Sequence, residues 1–340
     1  TKYSNTPGVR QRGAPAVIMP AGHGPRSWQA WRLRGMPGLR LLLLFNPHAA
    51  FGRASRLLPR VVTALRQFAE VDVQKTIGRG DAVQRVAAAN LASYDGLIAA
   101  GGDGTLFEVL NGLYTHSPDR RIPLGLVPVG TGNAFARDLG LMPGDWEKGV
   151  AVIGTRRLRR VDVGCVECGP VDAPEPAFHF LNIIGAGLPV DAMRAAERIK
   201  FVGSAAYSLA AFWRAMLLRS YPLAIELDGE RVEQDAMFVE ISNTRYTGTS
   251  FLMAPNARFD DGLFDVTLVR RLPRWRLLRL FPTIYRGTHV EYPEVLTRQA
   301  RSIRILGPGG LALAPDGELR GHAPATITCL RGDLEIFTAI

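Results

Sequence analysis

Gly101-Gly102-Asp103-Gly104-Thr105 is the stretch that decides the fold of this chain. The apolar run Leu97-Ile98-Ala99-Ala100 before it predicts a buried strand, and residues 106–114 after it predict a helix. A glycine-rich turn between a strand and a helix presents backbone N–H groups and the positive end of the helix dipole to a phosphate. Beside a phosphate the Asp103 carboxylate needs another role, either binding a bridging Mg²⁺ or accepting a ribose hydroxyl. A plain glycine turn with an aspartate cap is the structural alternative.

A second strand–loop–helix unit follows. Residues 124–129 predict another buried strand, Gly130-Thr131-Gly132-Asn133 is a second glycine loop, and residues 134–139 predict a helix. Two such units in succession predict two loops at the same edge of a parallel sheet, where open α/β sheets bind ligands. The sequence lacks the Gly-Lys-Ser/Thr of a Walker P-loop.

Two further strands complete the first domain. Residues 39–45 and 71–76 predict strands, and residues 54–69 and 81–91 predict the helices that follow them. Strands alternating with helices predict a parallel, right-handed α/β unit. The loop Asn46-Pro47-His48-Ala49-Ala50 after the first strand is therefore a third candidate phosphate or nucleotide contact.

From residue 161 onward the pattern changes to half-buried strands, interrupted by a predicted helix at 205–218. Asp228-Gly229 predicts a hairpin turn between two of these strands. Residues 1–38 contain no Asp or Glu and much Pro and Gly. The sequence thus predicts four parts: a disordered tail (1–38), an α/β nucleotide-binding domain (39–160), a β-rich substrate domain (161–333), and a terminal strand that can return to the first domain (334–340).

The chain is strongly basic, with a net charge of +10, and all but four of its 41 Lys and Arg residues are arginines. This excess attracts anionic partners, which are nucleic acid, an anionic lipid surface or a phosphorylated substrate. The sequence has no aromatic RNA-binding signature, so we expect no specific nucleic acid partner. Its apolar runs are too short to span a bilayer. The three cysteines argue against a disulfide framework.

These motifs resemble the diacylglycerol kinase catalytic domain. The resemblance rests on Gly101–Thr105, on Glu108-Val109-Leu110-Asn111-Gly112, and on the segment from Pro128 to Arg137. Soluble bacterial lipid kinases and sphingosine kinases are similar in pattern, whereas the first motif alone also occurs in NAD kinases and phosphofructokinase-like enzymes. The resemblance implies an α/β N-terminal domain with a parallel sheet of the phosphofructokinase/NAD kinase-like kind, followed by a mainly antiparallel β-sandwich. It also implies ATP-dependent phosphorylation of a lipid hydroxyl, on diacylglycerol, a sphingoid base or a related lipid.

The resemblance further implies a site for ATP and Mg²⁺ at the strand ends. Ala49 and Ala50 depart from the family's Asn-Pro-x-Ser-Gly loop, which removes a hydroxyl contact and leaves the backbone contacts. Thr76 matches a family residue that reaches the nucleotide. The implied nucleotide-binding residues are Asn46, Pro47, His48, Ala49, Ala50, Thr76, Gly101, Gly102, Asp103, Gly104, Thr105, Leu106, Gly130, Thr131, Gly132 and Asn133.

Two turns of the second domain carry further implied sites. Asp316-Gly317-Glu318 by itself reads as a hairpin turn, but the resemblance makes Glu318 the general base, with Asp103 as the second catalytic residue. A second magnesium ion, remote from the phosphates, would be bound by the Asp261 carboxylate and the main-chain carbonyls of Arg258 and Leu263. An ordinary Asp-Gly turn is the alternative for that loop.

A lipid substrate requires contact with a membrane. Residues 272–281 interleave three arginines with Trp, Leu and Phe, which is typical of an interfacial amphipathic helix and also of an ordinary surface helix in an arginine-rich protein. We expect a cytoplasmic enzyme, peripheral on the inner membrane surface, with a lipid substrate as its partner and with homodimerisation left open. The alternative is a soluble NAD kinase-like phosphotransferase. That class should show an Asn-Glu pair that grips the ribose, which Asn111-Gly112 and Asn133-Ala134 do not supply.

Overall fold

A parallel sheet forms the first half of the chain in the computed structural model, which describes residues 38–116, 121–169, 175–197, 220–248 and 250–339. Its strand order is β4-β3-β1-β2. All of β3 and β4 and most of β1 are buried, because near-continuous apolar runs suit strands that are covered on both faces. The strands are β1 (Leu39–Phe45), β2 (Ala69–Lys75), β3 (Gly96–Gly101) and β4 (Leu124–Pro128).

Five helices connect or follow these strands, as the alternating pattern predicts. They are α1 (Leu58–Leu65), α2 (Asp81–Ala88), α3 (Asp103–His116), α4 (Ala134–Asp138) and α5 (Trp146–Gly154). The single helix predicted over 54–69 is wrong in its bounds. A 3-10 turn, Arg53–Leu57, precedes α1, and Pro59 stands in the first turn of α1, where a missing N–H group is tolerated.

The second half of the chain is mainly antiparallel, and its strands follow the order β13-β12-β9-β8-β14-β16. Asp228 and Gly229 form the predicted hairpin turn between β8 and β9, and both have positive φ, of 48° and 91°. The elements are β5 (Leu158–Cys168), β6 (Phe178–Phe180), β7 (Ile183–Gly187), α6 (Leu188–Glu197), β8 (Tyr221–Leu227), β9 (Glu230–Ser242), β10 (Tyr246–Thr247), β11 (Phe251–Leu252), β12 (Phe264–Arg270), α7 (Arg274–Ile284), β13 (Val295–Ala300), β14 (Ser302–Gly307), β15 (Leu313–Pro315) and β16 (Ala325–Phe337).

Strand β16 links the two halves. It pairs antiparallel with β14 and β5 along most of its length, and near its end Ile336 pairs in parallel with Leu124 of β4. Its side chains Leu334 and Ile336 belong to the core of the parallel sheet, whereas Ile327 belongs to the core of the antiparallel region. One sheet therefore runs through both halves of the described chain.

The tail predicted over 1–38 lies outside the described residues except for Gly38, and so does the helix predicted over 205–218. The domain boundaries at 39–160, 161–333 and 334–340 stay predictions, and β16 crosses the last of them as a single strand. Among the described residues, no helix has the length and apolar character that crossing a bilayer requires.

Candidate active site

A cleft of about 890 Å³ opens where the carboxyl ends of the four parallel strands meet the turn after β15. It brings Glu318 together with most of the residues that the sequence predicts for the nucleotide. The predicted nucleotide residues that line it are Asn46, His48, Ala49, Ala50, Thr76, Gly102, Asp103, Gly104, Thr105, Gly130, Thr131 and Gly132. Gly101, Leu106 and Asn133 line a separate void of about 10 Å³, and Pro47 lines neither cavity. Their roles in nucleotide binding stay predictions.

The two glycine loops are held directly against each other. Gly130 N donates to Gly101 O at 2.9 Å, and Asp103 N donates to Gly132 O at 3.0 Å. A Cβ added to Gly130 would stand 2.6 Å from the Gly102 Cα, which is closer than any real side chain approaches. Glycine is therefore required at the crossing for a steric reason.

The Asp103 carboxylate joins the second loop to the start of α4. Its Oδ1 accepts a hydrogen bond from Ala134 N at 2.8 Å, and its Oδ2 lies next to Gly132, 2.9 Å from where a Cβ of that residue would stand. Burial raises the pKa of Asp103 to about 7. Asp103 thus binds the first N–H of α4 rather than only ending its own glycine turn, and its side chain also lines the cleft.

The loop after β1 lines the cleft, and the side chain of Asn46 holds it in place. Asn46 Nδ2 donates to Thr105 Oγ1 at 2.9 Å, and the Asn46 Oδ1 accepts from His48 N at 2.9 Å. Ala50 and Phe51 have positive φ of 51° and 58°, a conformation that glycine adopts without strain. Alanine at position 50 therefore keeps the left-handed turn for which the related loop uses glycine.

The turn after β15 is fixed by Asp316, which the sequence predicts either to shape this turn or to support a ligand. Its buried carboxylate accepts hydrogen bonds from Leu181 N at 3.0 Å, from Asn182 N at 2.9 Å and from Ile183 N at 2.9 Å. Burial raises the pKa of Asp316 to about 6, and the three backbone donors act in the opposite direction. Asp316 thereby holds the next-but-one residue, Glu318, at the cleft.

The side chain of Glu318 lies next to the first turn of α3, and it pairs with Arg79 at the cleft. A Cβ added to Gly104 would stand 2.8 Å from Glu318 Oε1, and Arg79 Nη2 donates to Glu318 Oε2. Arg79 belongs to the loop between β2 and α2, which Glu108 secures by accepting from Gly80 N at 2.7 Å. The sequence analysis missed Arg79, because only the tertiary fold brings a residue of this loop to Glu318.

Comparison with known proteins identifies the family. A model described as "Diacylglycerol kinase catalytic domain" matches residues 40–166, and one described as "YegS C-terminal NAD kinase beta sandwich-like domain" matches residues 182–338. A curated diacylglycerol kinase from Mycobacterium tuberculosis is 30% identical over 301 residues, covering 87% of this chain and 94% of that protein. Another from Staphylococcus saprophyticus is 30% identical over 302 residues, covering 88% and 95%. The chain belongs to the diacylglycerol kinase family.

Solved structures confirm the fold class. A putative diacylglycerol kinase from Bacillus anthracis superposes with a TM-score of 0.72 at 26% identity, covering 90% of this chain and 97% of that one. A yeast NADH kinase superposes with a TM-score of 0.51 at 14% identity, covering 89% and 84%, and shows the fold alone. Membership of the diacylglycerol kinase family makes the chain a kinase. The predicted architecture, an α/β domain followed by a β-sandwich, is confirmed.

The cleft of this diacylglycerol kinase family member fits a magnesium ion that arrives with phosphates. Among the residues that the structure describes, no group of three or more His, Cys, Asp or Glu side chains is placed to hold a metal ion. Mg²⁺ in kinases is commonly bound by one or two carboxylates together with substrate phosphates, so a protein cage is not needed. The oxygen donors of Asp103 and Glu318 at the cleft suit that arrangement.

The second predicted magnesium site lies in the turn between Arg258 and Leu263. The Asp261 Oδ1 accepts from Leu263 N at 3.0 Å, and the neighbouring Gly262 N donates to the buried Asp162 at 2.6 Å. Burial raises the pKa of Asp162, and the negative charge of the nearby Asp261 raises this pKa further. The Asp-Gly turn is therefore observed, and the metal ion at Arg258, Asp261 and Leu263 stays a prediction.

Proposed function

We propose that this kinase transfers the γ-phosphoryl group of ATP to a lipid hydroxyl, on diacylglycerol, a sphingoid base or a related lipid, at the inner membrane surface. The observation that carries the proposal is the meeting of two phosphate-type glycine loops with the carboxylates of Asp103 and Glu318 in a single cleft. The names of the relatives supply the substrate class. A homodimer stays a prediction.

The glycine loops bind and orient the phosphates. Residues at the start of α3 and at Gly130–Gly132 line the cleft, which lies at the positive end of the α3 dipole. Arg79 adds a cation at the cleft that a phosphate oxygen can pair with. Mg²⁺ bound with the phosphates, near Asp103 and Glu318, would neutralise charge on the transferred group.

Glu318 acts as the general base. A lipid hydroxyl stays protonated at neutral pH, so a carboxylate assists by taking its proton as the new P–O bond forms and ADP leaves. Asp316 does not exchange protons with the substrate, because its two oxygens already accept three backbone N–H groups. Its part is to position the turn that presents Glu318.

The proposal is tested by assaying purified protein with labelled ATP against diacylglycerol, a sphingoid base and NAD, and separating the products by thin-layer chromatography. We expect a phosphorylated lipid and no phosphorylated NAD. Glu318→Gln, which keeps the size of the side chain, serves as the inactive control. Phosphorylation of NAD without phosphorylation of any lipid would contradict the proposal and favour the NAD kinase-like alternative.

A further inference from the structure

Helix α7, Arg274–Ile284, is seated on the antiparallel region by its buried face, and Phe281 and Tyr285 add ring contacts with Phe251 of β11. Leu277, Leu280 and Ile284 are buried on that face and pack in a cluster with Phe238 of β9 and Val269 of β12. This spacing of three and four residues is the apolar stripe of a helix that covers a core. The helix is therefore firmly anchored, and its outer face has a fixed orientation.

The outer face of α7 carries a second apolar stripe. Trp275 is 59% exposed, Leu278 is 45% exposed, and Tyr285, immediately after the helix, is 51% exposed. With the exposed Pro282 between them, these residues recur every three or four positions and so share one side. They are three of the seven large apolar side chains that are exposed among the described residues. Clustered apolar exposure of this kind marks a surface that contacts something else.

Positive charge surrounds that stripe. Six arginines occur between residues 270 and 286, and no Asp or Glu occurs from 270 to 290. Two of them are engaged, because Arg276 pairs with Glu294 at 2.5 Å and Arg270 Nε donates to Gln234 at 3.1 Å. All six arginines are exposed, and they are Arg270, Arg271, Arg274, Arg276, Arg279 and Arg286. An apolar stripe within an arginine field complements an anionic lipid surface.

Strand β7 connects this surface to the active-site cleft. At its first residue, Ile183 N donates to the Asp316 carboxylate and Ile183 O accepts from Asp316 N, and Asp316 positions Glu318. Beyond its last residue, Leu188 packs against the cluster beneath α7. The strand covers ~13 Å between its ends, at about 3.3 Å per residue. The strand therefore joins the cluster beneath α7 to the turn that positions Glu318.

We propose that the outer face of α7 docks on an anionic phospholipid bilayer. Trp275, Leu278 and Tyr285 enter the headgroup region, and the surrounding arginines pair with lipid phosphates. A bilayer is favoured over nucleic acid because the centre of the patch is apolar and only its surroundings are charged. This proposal rests on the proposed lipid kinase function, since it names the surface that supplies the substrate.

Vesicle sedimentation tests the docking surface with a matched pair of variants. Leu278 and Met142 are exposed to the same degree, 45% and 46%, but Met142 lies in the loop after α4. We expect wild type and Met142→Asp to bind phosphatidylglycerol vesicles and to bind phosphatidylcholine vesicles weakly. Leu278→Asp should raise the lipid concentration for half-binding by about tenfold or more, and Arg274→Glu with Arg279→Glu should do the same. Equal binding by wild type and both α7 variants would overturn the proposal.

Fluorescence and activity complete the test. Binding to phosphatidylglycerol vesicles should shift the tryptophan emission of wild type to shorter wavelength, and Trp275→Phe should lose that shift. Leu278→Asp should lose activity on vesicle-borne diacylglycerol and keep it on a short-chain, water-soluble diacylglycerol. Wild type that binds vesicles through α7 and phosphorylates no lipid would contradict the proposed function and leave the docking surface intact. The docking proposal would be overturned if Leu278→Asp bound vesicles as well as wild type does and both proteins bound single-stranded RNA equally well.

Discussion

At the scale of single residues, one buried carboxylate can serve both the fold and the chemistry. Asp103 caps α4 through Ala134 N and lines the cleft, and burial raises its pKa to about 7. A neutral amide can accept the same backbone hydrogen bond, but it cannot contribute negative charge to a metal–phosphate complex. Structural and chemical roles of this side chain can therefore be separated by substitution.

We expect Asp103→Asn to leave the fold intact and to lower kcat at least about a hundredfold, because the charge that organises the phosphate-bound metal is lost. Thermal unfolding and steady-state kinetics of the purified variant measure the two effects. A folded variant with activity near that of wild type would show that Asp103 is only a turn residue.

Glu240 is a buried acid outside the active-site cleft. Its Oε1 accepts hydrogen bonds from Thr247 Oγ1 and, at 3.4 Å, from Ser242 Oγ, while Oε2 has no hydrogen-bond partner among the described residues. Burial raises the pKa of Glu240 from 4.5 to about 7. Because the pKa of Glu240 is higher in the folded state, the folded protein is favoured while this carboxyl is protonated. That contribution to the free energy of unfolding is fully present below pH 4.5 and is lost as the pH rises through 7.

We expect Glu240→Gln to be more stable than wild type at pH 8 and to lose that advantage at pH 5. The gain at pH 8 is on the order of 3 kcal/mol at most, from the size of the pKa change. Urea unfolding of both proteins at the two pH values measures the free energy of unfolding. The same difference at pH 5 and pH 8 would mean that Glu240 does not titrate in this range.

At the scale of elements, the loop between β2 and α2 delivers the cleft arginine. Gly78 and Gly80 flank Arg79, Gly80 has a φ of 80°, and Glu108 of α3 holds the backbone at Gly80 and Ala82. The guanidinium pairs with Glu318 in the structure. In the proposed nucleotide complex a phosphate would compete for the same guanidinium, and the loop would then link nucleotide binding to the proposed base.

We expect Arg79→Ala to raise the KM for ATP about tenfold or more, because a charge-assisted contact to phosphate is lost. Arg85→Ala is the matched control, since Arg85 pairs with Asp81 within α2 and does not line the cleft. An unchanged KM for ATP in Arg79→Ala, measured alongside the control, would remove Arg79 from the nucleotide site.

Local sequence patterns predicted the elements that bear the nucleotide residues, because buried strands and glycine turns have local signatures. The run before Gly101 and the run before Gly130 became β3 and β4, and the loops after them meet as expected. The Arg79–Glu318 pair and the capture of three N–H groups by Asp316 were not predictable, since they depend on how distant segments are brought together. Helix bounds were missed where a 3-10 turn preceded α1.

At the scale of the whole molecule, β16 makes the two halves one cooperative structure. Ile327 packs in the antiparallel core, while Leu334 and Ile336 pack in the core of the parallel sheet, and Ile336 pairs with Leu124. The cleft lies between these halves, because Glu318 comes from one and the glycine loops come from the other. Stability of the β16–β4 contact therefore affects the geometry of the active site.

We expect Ile336→Ala to lower the free energy of unfolding by about 2–5 kcal/mol, because it leaves a cavity at a fully buried position. Glu335→Ala is the control on the same strand, since that side chain is 42% exposed and pairs with the exposed Arg160 at 3.5 Å. Urea unfolding measures both. A loss below about 0.5 kcal/mol for Ile336→Ala would show that the β16–β4 contact is not structurally important.

Steady-state kinetics of Glu318→Gln on diacylglycerol in mixed micelles test most directly whether Glu318 is the base of a lipid kinase. Glutamine keeps size and hydrogen bonding and removes basicity, so kcat should fall about a hundredfold or more while the KM for ATP changes little. A kcat close to that of wild type together with a raised KM for ATP would contradict the account and make Glu318 a nucleotide-binding residue.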